Sequence, residues 1–389
     1  MKVKRLPEDF CVEELSGVEP ADVGRYALYR LRKTSVTTLD AVAEIQRRLK
    51  LSRQQLSWGG LKDRHAVTTQ FLTIDGGPSR GFVQGQWKLE YLGRTSAPFG
   101  PADILGNRFQ LRLRSLESEE IEFAQRELPL IARNGLANYF DDQRFGSRAE
   151  TGVFVAEPWL RGDYESALKL AFAEPYFGDH AREKQQKTLL TRHWGDWAKC
   201  QELLARSHRR SIVTFLNDRP GDYRGAWQRV NADLRSLYLA AFQSHLWNQI
   251  LSRVIVDVSA GATGRPVELA TGEHAGIGEL DDAQRTRLRA LSIPLPSARL
   301  KAEEIADEWL RTQIESTLAQ LGWTLPELKV KHTRDSFFSK GERAAIIQPA
   351  GLDWEVADDE LHVGRQRLDL TFELPRGSYA TMLVKRITR

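Results

Sequence analysis

The stretch GGLKDRHAVTTQ, residues 59–70, places one acid among cationic and titratable neighbours. Asp63 follows Lys62 and precedes Arg64 and His65, and two glycines before them allow the backbone to turn sharply. A salt-bridged turn would explain this carboxylate. A nucleophile directed at a phosphate-rich substrate would also explain it, because the flanking cations would hold the phosphates. The stretch alone does not choose between these two interpretations.

Two further stretches combine aromatic rings with polar side chains. GLANYFDDQRFGSRAETG, residues 135–152, sets aromatic residues beside amides and guanidinium groups. Such a mixture suits stacking on an unpaired base, and it equally suits a loop whose rings fill the core. In ELPRGSYATMLVKRI, residues 373–387, Tyr379 follows a Pro-Arg-Gly turn, where its ring either faces a cleft or is buried at a helix start.

Common motifs for cofactors, metals and hydrolysis are absent from the sequence. It contains no Walker loop, no H-E-x-x-H, no G-x-S-x-G, and no G-x-G-x-x-G between a strand and a helix. Cys11 and Cys200 are the two cysteines, and neither belongs to a C-x-x-C pair. His193, Cys200 and His208 match no common zinc spacing. We therefore predict neither a disulfide nor a metal site.

The composition is that of a globular protein with two domains. The 389 residues are 41% hydrophobic and 28% charged, and 56 Lys and Arg against 52 Asp and Glu give a net charge of +4, which permits a polyanionic partner. No apolar run approaches the roughly 20 residues that cross a bilayer. The charged N-terminal stretch has no apolar signal-peptide core. These features predict a soluble, cytoplasmic protein.

The elements that must position the three stretches begin with alternating strands and an amphipathic helix. TTLDAVAEIQRRLKL, residues 37–51, predicts a helix capped by a Thr, with Leu39, Val42, Ala43 and Leu49 on one face. A second helix is predicted to end at Gly135. Strands that run together before a helix appears favour an α+β fold over a doubly wound one.

The stretch NRFQLRLRSL, residues 107–116, predicts a strand with one apolar and one basic face. Its alternating apolar residues are Phe109, Leu111 and Leu113, and the polar ones between and around them are Arg108, Gln110, Arg112 and Arg114. The basic face is either a ribbon that faces phosphates or the solvated outer face of a half-buried strand.

From about residue 155 the pattern becomes mostly helical, and the last forty residues return to strand chemistry. The chain as a whole resembles the TruD-type pseudouridine synthases, which isomerise uridine in tRNA and related RNAs. The resemblance begins at VKRLPEDFCVEE, continues through GGLKDRHAVTTQ, ANYFDDQRFGSRAETG and RSLYLAAFQSHLWNQIL, and ends in ELPRGSYATMLVKRI. It implies a pseudouridine-synthase-like α+β catalytic domain on a mixed or antiparallel sheet, formed by residues 1–154 and 346–389. A mostly helical inserted TRUD domain, residues 155–345, would interrupt it.

The same resemblance implies site residues. Asp63 matches the catalytic aspartate of the family, and Lys4, just before PEDF, matches its basic partner. Asn138 and Phe140 match residues that shape the uridine pocket. Tyr379 matches an aromatic position, often Phe in relatives, that stacks against the target base.

Further basic residues near these motifs are predicted to hold RNA phosphates: Lys62, Arg64, Arg144 and Arg148. The implied reaction isomerises uridine in tRNA, at position thirteen in bacterial members, and it requires no cofactor because it involves no redox change. We predict tRNA as the partner, with no membrane and no obligate protein partner. A non-catalytic RNA-binding or RNA-chaperone protein with this fold has no need of the carboxylate. A nucleoside-hydrolase-like enzyme would not need the basic, aromatic-rich flanks.

Overall fold

The structure is a computed structural model, and it describes residues 1–176, 179–332 and 336–388. Within these ranges no helix is both long and apolar enough to span a membrane.

The chain forms two compact units, and the first of them is discontinuous. It comprises Met1–Leu136 and Ile347–Arg389, and the second unit comprises Ala137–Ile346. The sequence-based division at residues 154/155 and 345/346 differs from these boundaries mainly at the first one, and Phe140 in that stretch is hydrogen-bonded to Asn248 of the second unit. The assignment of a catalytic domain and an inserted domain stays a prediction.

Sixteen strands and twelve α-helices occur in the described residues. In chain order, the strands are β1 Lys2–Val3, β2 Phe10–Ser16, β3 Tyr26–Thr34, β4 Leu56–Trp58, β5 Val67–Asp75, β6 Phe82–Gln84, β7 Trp87–Thr95, β8 Ile104–Leu116, β9 Leu136–Ala137, β10 Gly264–Leu269, β11 Gly272–Gly276, β12 Ser292–Pro294, β13 Glu342–Ala344, β14 Ile346–Ile347, β15 Ala350–Asp358 and β16 Gln366–Pro375. The helices are α1 Thr38–Leu49, α2 Ser118–Asn134, α3 Ala156–Arg161, α4 Tyr164–Phe172, α5 Ala181–Arg192, α6 Trp197–Leu203, α7 His208–Asp218, α8 Tyr223–Gln228, α9 Ala232–Val258, α10 Asp282–Ala290, α11 Glu308–Gln320 and α12 Ala380–Ile387.

Ten strands of the first unit form one mixed sheet. The order is β15-β16-β8-β2-β5-β3-β7-β6, with β1 paired to β8 and β4 paired to β5. Strands β2 and β5 run parallel, whereas β8 runs antiparallel to both β2 and β16. The predicted α+β class with a mixed sheet and helices is confirmed.

Alternation along the strands gives the sheet a buried face. Phe109, Leu111 and Leu113 of β8 pack in one core with Leu370 and Phe372 of β16, and the rings of Phe109 and Phe372 stack with centroids 5.3 Å apart. Helices α2 and α12 cover this face. Each such side chain contributes about 1.5–3 kcal/mol when it leaves water.

Helix α1 covers the neighbouring part of the sheet. Its predicted cap is confirmed, because the Thr37 hydroxyl accepts a hydrogen bond from the backbone N–H of Asp40 at 3.1 Å. The predicted face is wrong in part, since Leu39 and Ala43 are exposed. The buried residues are Thr38, Ala41, Val42 and Ile45, so Val42 is the one predicted position among them.

The basic face of β8 is neutralised by carboxylates on adjacent strands. Arg108 forms ion pairs with Glu13 at 3.2 Å and Glu373 at 2.8 Å, and Arg112 pairs with Asp369 at 2.5 Å. These cations are already paired within the sheet. The structure therefore favours the solvated outer face over a phosphate-facing ribbon.

Arg114, at the end of β8, is buried among three acids. Its guanidinium group contacts Asp9 at 2.8 Å, Asp359 at 3.0 Å and Glu360 at 3.0 Å. Although burial alone would raise the pKa of Asp359, hydrogen bonds from the backbone N–H groups of Leu361 and Ser115 lower it to about 2. This carboxylate therefore stabilises the fold above about pH 4, and that contribution is lost as the pH falls through about 2.

The second unit is built around α9. This helix begins at the N-cap Asn231, whose side chain accepts a hydrogen bond from the N–H of Asp233 at 2.8 Å. Phe242 and Trp247 are buried on it, and the Phe242 ring lies edge-on to Trp323, with centroids 5.3 Å apart. Helices α3, α10 and α11 and strand β11 pack against α9. The unit is mostly helical in the part that the structure describes.

The burial of Arg114 predicts a large loss of stability on substitution. Arg114→Met leaves Asp9 and Asp359 buried without their cation, and we expect the free energy of unfolding to fall by about 3–5 kcal/mol in urea titrations. Arg108→Met is the matched control, because it removes an exposed arginine of the same strand and should leave the free energy of unfolding close to that of the wild type. Equal losses for the two variants would contradict the prediction.

Candidate active site

Asp63 is paired with Lys4 in the first unit. Lys4 Nζ lies 2.5 Å from Asp63 Oδ2, and the side chains are 28% and 42% exposed, respectively. A substrate can therefore reach this carboxylate. The structure brings together the two residues for which the family resemblance implied the roles of catalytic acid and basic partner. They are 59 positions apart in the chain.

The turn that carries Lys4 is fixed from several sides. Strand β1 pairs with β8 just before it, and Asp9, held by Arg114, accepts a hydrogen bond from the N–H of Leu6 at 2.8 Å. The Lys4 ammonium also lies 3.8 Å from the centroid of the Phe10 ring. Lys4 itself has a left-handed φ of 56°. Such a backbone costs about 1–3 kcal/mol for a non-glycine residue, so the surrounding contacts must impose it.

The loop that carries Asp63 begins at a tightly packed glycine. The sequence interpretation attributed the two glycines to a sharp turn, but neither Gly59 nor Gly60 has a positive φ. A Cβ at Gly59 would instead lie 2.5 Å from Ile104 Cδ1 and 3.0 Å from Phe99 Cε1. Close approach to neighbouring side chains, not backbone freedom, explains the glycine at position 59.

The buried side chain of Lys33 contacts this loop, and the sequence analysis did not identify this residue. Its side chain is buried, and Nζ donates to the backbone carbonyls of Val36 at 2.9 Å, Lys62 at 3.3 Å and Asp63 at 2.8 Å. Burial lowers the pKa of Lys33 to about 8, although the Asp63 charge partly opposes this shift. The available signal was a lysine at an inward position of an alternating strand.

A buried polar relay fixes the same loop from α1 and β5. The backbone N–H of Lys62 donates to Thr38 Oγ1 at 3.0 Å, Thr38 donates to Gln70 Oε1 at 2.9 Å, and Gln70 donates to the carbonyl of Gly60 at 3.1 Å. Buried polar groups with satisfied partners favour one loop conformation. Asp63 is therefore presented by a held loop.

The basic neighbours of Asp63 differ in what they face. Lys62 Nζ lies 3.1 Å from Glu14 Oε2, whose side chain is fully buried, and 2.5 Å from Asn107 Oδ1. This ammonium is committed inside the unit, which revises its predicted phosphate contact to a positioning role. Arg64 and Arg5, in contrast, are exposed and have no ion-pair partner in the described ranges.

Tyr379 occupies the N-cap position of α12, in the first unit. It is half-buried, and its carbonyl accepts a hydrogen bond from the N–H of Met382 at 3.1 Å. The turn before it uses the left-handed Gly377, with φ 83°. Helix α12 begins at Ala380, and the Tyr379 side chain makes no capping hydrogen bond.

Asn138 is held in the second unit by Arg343. The Asn138 amide donates to the carbonyl of Ala344 at 2.9 Å, and its Oδ1 accepts from Arg343 Nη2 at 2.5 Å. Arg343 Nε also donates to the Asn138 backbone carbonyl at 2.8 Å. Both polar ends of this buried side chain thus have protein partners. No sequence signal indicated Arg343.

Phe140 is held by two hydrogen bonds between its backbone and a side chain of α9. Its N–H donates to Asn248 Oδ1 at 2.9 Å, and its carbonyl accepts from Asn248 Nδ2 at 3.0 Å. The ring lies edge-on to Trp247, with centroids 5.5 Å apart, and the Arg343 guanidinium lies 4.4 Å from it. Asn248 could have been found as a polar residue on the apolar face of α9.

The two predicted phosphate contacts of the second unit are partly occupied. Arg148 donates to the carbonyls of Gly152 at 2.8 Å and Ala270 at 2.5 Å. Arg144 donates to Ser244 Oγ at 3.3 Å and lies 5.7 Å from the Phe140 ring. Both side chains are half-buried, and Arg148 braces a loop through backbone carbonyls, whereas Arg144 contacts a hydroxyl group.

The arrangement around Asp63 suits chemistry at a carbon centre. A reachable carboxylate on a held loop can add to an electron-poor sugar carbon or remove a proton from a neighbouring one. The Lys4 cation offsets the repulsion between this carboxylate and incoming phosphates. Among the described residues, no group of three or more His, Cys, Asp or Glu side chains could hold a metal ion.

The contacts of Lys33 predict that it orders the Asp63 loop. Lys33→Met keeps the apolar stem but leaves three carbonyls without their donor, at about 1–3 kcal/mol for each buried group. We expect faster amide hydrogen exchange in the peptide that covers residues 59–66. Lys88→Met, which changes an exposed lysine on the adjacent strand β7, is the control. Unchanged exchange in Lys33→Met would show that the loop is ordered without it.

Comparison with known proteins connects this geometry to a family. The sequence profile described as tRNA pseudouridine synthase D (TruD) matches residues 1–387. The chain is 30% identical over 394 residues to the probable tRNA pseudouridine synthase D 2 of Methanocaldococcus jannaschii, across 99% of this chain and 91% of that protein. It is 27% identical over 394 residues to the tRNA pseudouridine synthase D of Aquifex aeolicus, across 100% of this chain and 98% of that protein.

A solved structure shares the fold. The crystal structure assigned to tRNA pseudouridine synthase D (TruD) from Methanosarcina mazei superposes with a TM-score of 0.78 at 23% identity, covering 99% of this chain and 93% of that one. The mixed sheet with its helices is thus a known arrangement. Since the family profile extends over nearly every residue of the sequence, the chain belongs to the tRNA pseudouridine synthase D (TruD) family.

Proposed function

We propose that this protein isomerises uridine to pseudouridine at position thirteen of a tRNA, with Asp63 as the reacting carboxylate. Membership of the TruD family makes the chain an isomerase of the tRNA pseudouridine synthase class. The observation that carries the choice of Asp63 is its reachable side chain, paired with Lys4 at 2.5 Å on a loop held by Lys33. A cytoplasmic location stays a prediction from the sequence.

The reaction exchanges one bond of the ribose for another. The bond between C1′ and N1 breaks and its electron pair leaves with the uracil, which then turns so that C5 bonds to C1′. The C5 hydrogen leaves as a proton, and N1 gains one. Asp63 either bonds to C1′ as the uracil leaves and is displaced when C5 bonds there, or removes the C2′ proton to give a glycal and returns that proton to C2′ as C5 bonds to C1′. Both routes need a carboxylate near C1′ and consume no outside energy.

The remaining assignments concern how the uridine is held. Tyr379 is the proposed stacking partner of the uracil, and its half-buried ring fits that role. Asn138 and Phe140 are proposed to shape the uridine pocket. Because both ends of the Asn138 amide already have protein partners, we assign it to the pocket wall rather than to reading the base. Turning the target base out of an RNA stack costs a few kcal/mol.

Phosphate contacts are proposed to offset part of that cost. Arg64 retains its predicted role, since its side chain is exposed beside Asp63. Arg5 joins it, because it follows Lys4 and is equally exposed. Each released counterion strengthens RNA binding in a salt-dependent way.

Tritium release tests the reaction and the role of Asp63 together. A tRNA transcript labelled at C5 of uracil should lose its tritium to water with the wild-type protein, because the new C5 bond expels that hydrogen. Asp63→Ala should lower the rate at least about 10³-fold. Asp22→Ala, an exposed acid in the same unit, is the control and should match the wild type.

The tritium-release assay also distinguishes a wrong assignment of the carboxylate from a wrong reaction. Wild-type release that persists in Asp63→Ala would refute the assignment of the carboxylate. The absence of release from any tRNA would refute the proposed reaction. Carbodiimide mapping of the product, with a transcript that carries cytidine at position thirteen, tests the position. Modification of that transcript to the same extent would exclude position thirteen.

The charge of Lys4 is predicted to matter for turnover more than for binding. Lys4→Asn removes the ammonium but keeps a residue type that tolerates the left-handed backbone. We expect kcat to fall about 10²-fold while tRNA affinity stays within about threefold. Lys2→Ala removes an exposed neighbouring ammonium and is the control. A Lys4→Asn variant with wild-type kcat would rule out the ion pair as part of the machinery.

A further inference from the structure

A cavity of about 340 Å³ lies in the second unit, and none of the residues assigned above lines it. Three short segments line it: residues 297–299, 328–330 and 336–338. We name it the Phe337 cavity. It combines an exposed ring, unpaired cations and a hydroxyl group, a set that apolar packing does not require.

Phe337 is the aromatic element of the Phe337 cavity. Its side chain is 57% exposed, whereas the next residue, Phe338, is 4% exposed and part of the core. The Arg299 guanidinium lies 5.2 Å from the centroid of the Phe337 ring. A large exposed ring beside a guanidinium group is the arrangement on which an unpaired nucleobase stacks.

The cations around this ring form no ion pair with any acid that the structure describes. Arg299 and Lys329 line the cavity and are exposed, and neither forms an ion pair within the described part of the chain. Lys331 and Lys340 flank it in sequence and are exposed as well. Arg108 and Arg112 of the first unit, in contrast, already have carboxylate partners. The local charge is therefore complementary to phosphate groups.

Side chains of α9 form hydrogen bonds with residues in and next to the segments that line the cavity. Gln243 Nε2 donates to the carbonyls of Pro296 at 3.1 Å and Ser339 at 2.9 Å, which joins two of the lining segments. Arg235 Nε donates to Ser336 Oγ at 3.0 Å. Ser297 lines the same space, and its hydroxyl has no hydrogen-bond partner in the described ranges. The cavity is thus formed before any ligand enters it, which lowers the entropic cost of binding.

We propose that the Phe337 cavity binds one unpaired nucleotide of the RNA substrate. The base stacks on Phe337, Arg299 and Lys329 contact its phosphates, and the Ser297 hydroxyl contacts the base edge. This inference rests on the proposed function, since it takes tRNA as the ligand. It adds an RNA contact in the second unit that is separate from the chemistry of Asp63.

RNA affinity of the full-length protein tests the stacking contact. We expect Phe337→Ala to weaken binding of an unmodified tRNA transcript about tenfold in fluorescence anisotropy. Phe337→Trp should retain wild-type affinity, because it keeps a stacking surface. Leu237→Ala truncates another exposed apolar side chain of the same unit and is the matched control. Wild-type affinity of Phe337→Ala would overturn the proposal.

Salt dependence tests the phosphate contacts. Between about 50 and 200 mM salt, log affinity falls with log salt, and Arg299→Ala/Lys329→Ala should reduce the magnitude of that negative slope by about 1.4, or roughly 0.7 for each single-stranded contact. Arg64→Ala, in the first unit, should reduce the magnitude of the slope independently. A double variant with an unchanged slope would contradict the phosphate assignment.

Two further measurements distinguish the proposed RNA contact from a failure of the proposed function and from a site for free mononucleotides. Tritium release should be unchanged in the control Leu237→Ala, and absence of release in every variant and in the wild type would refute the proposed function while the affinity test still stands. AMP serves as a probe for free mononucleotides. Binding of AMP that depends on Phe337, with tRNA affinity left unchanged by Phe337→Ala, would make the cavity a nucleotide site and overturn the RNA contact.

Discussion

Irregular loops cannot satisfy their own backbone carbonyls, and this constraint governs how the candidate site is built. The loop that carries Asp63 turns the carbonyls of Lys62 and Asp63 toward the buried Lys33 side chain. The Lys33 ammonium group donates to both and also to the carbonyl of Val36. The position of Asp63 therefore depends on a cation that takes no part in the proposed chemistry.

The second unit repeats this solution with other side chains. Arg343 donates to the backbone and amide of Asn138, and Asn248 pairs with both backbone groups of Phe140. Gln243 joins two loops through their carbonyls. Charge counted from sequence is a poor guide to RNA binding in such a protein, because many of its cations and amides serve backbone groups. Exposed cations without partners, such as Arg64, are more informative.

Sequence patterns predicted the elements better than the contacts between them. The alternation of β8 and the Thr cap of α1 are local signals, and both were found. The buried face of α1 was misplaced, because Thr38 turns inward to bond Gln70 and shifts the face toward Ala41 and Ile45. Lys62 was assigned to phosphate, since no local signal shows that Glu14 lies buried beside it. Partners distant in the chain decide such cases.

The order of strands in the first sheet has a consequence for synthesis on the ribosome. Strand β8 is made early, but its neighbour β16 comes late, and the cross-strand partners Arg108 and Glu373 are 265 residues apart. At about 5–20 residues per second, translation leaves this edge open for on the order of 10 to 50 s. The backbone hydrogen-bonding groups of β8 on the side of β16 stay unpaired while the second unit is synthesised. The nascent chain thus carries an open sheet edge, which is a natural target for chaperones and a point of aggregation risk.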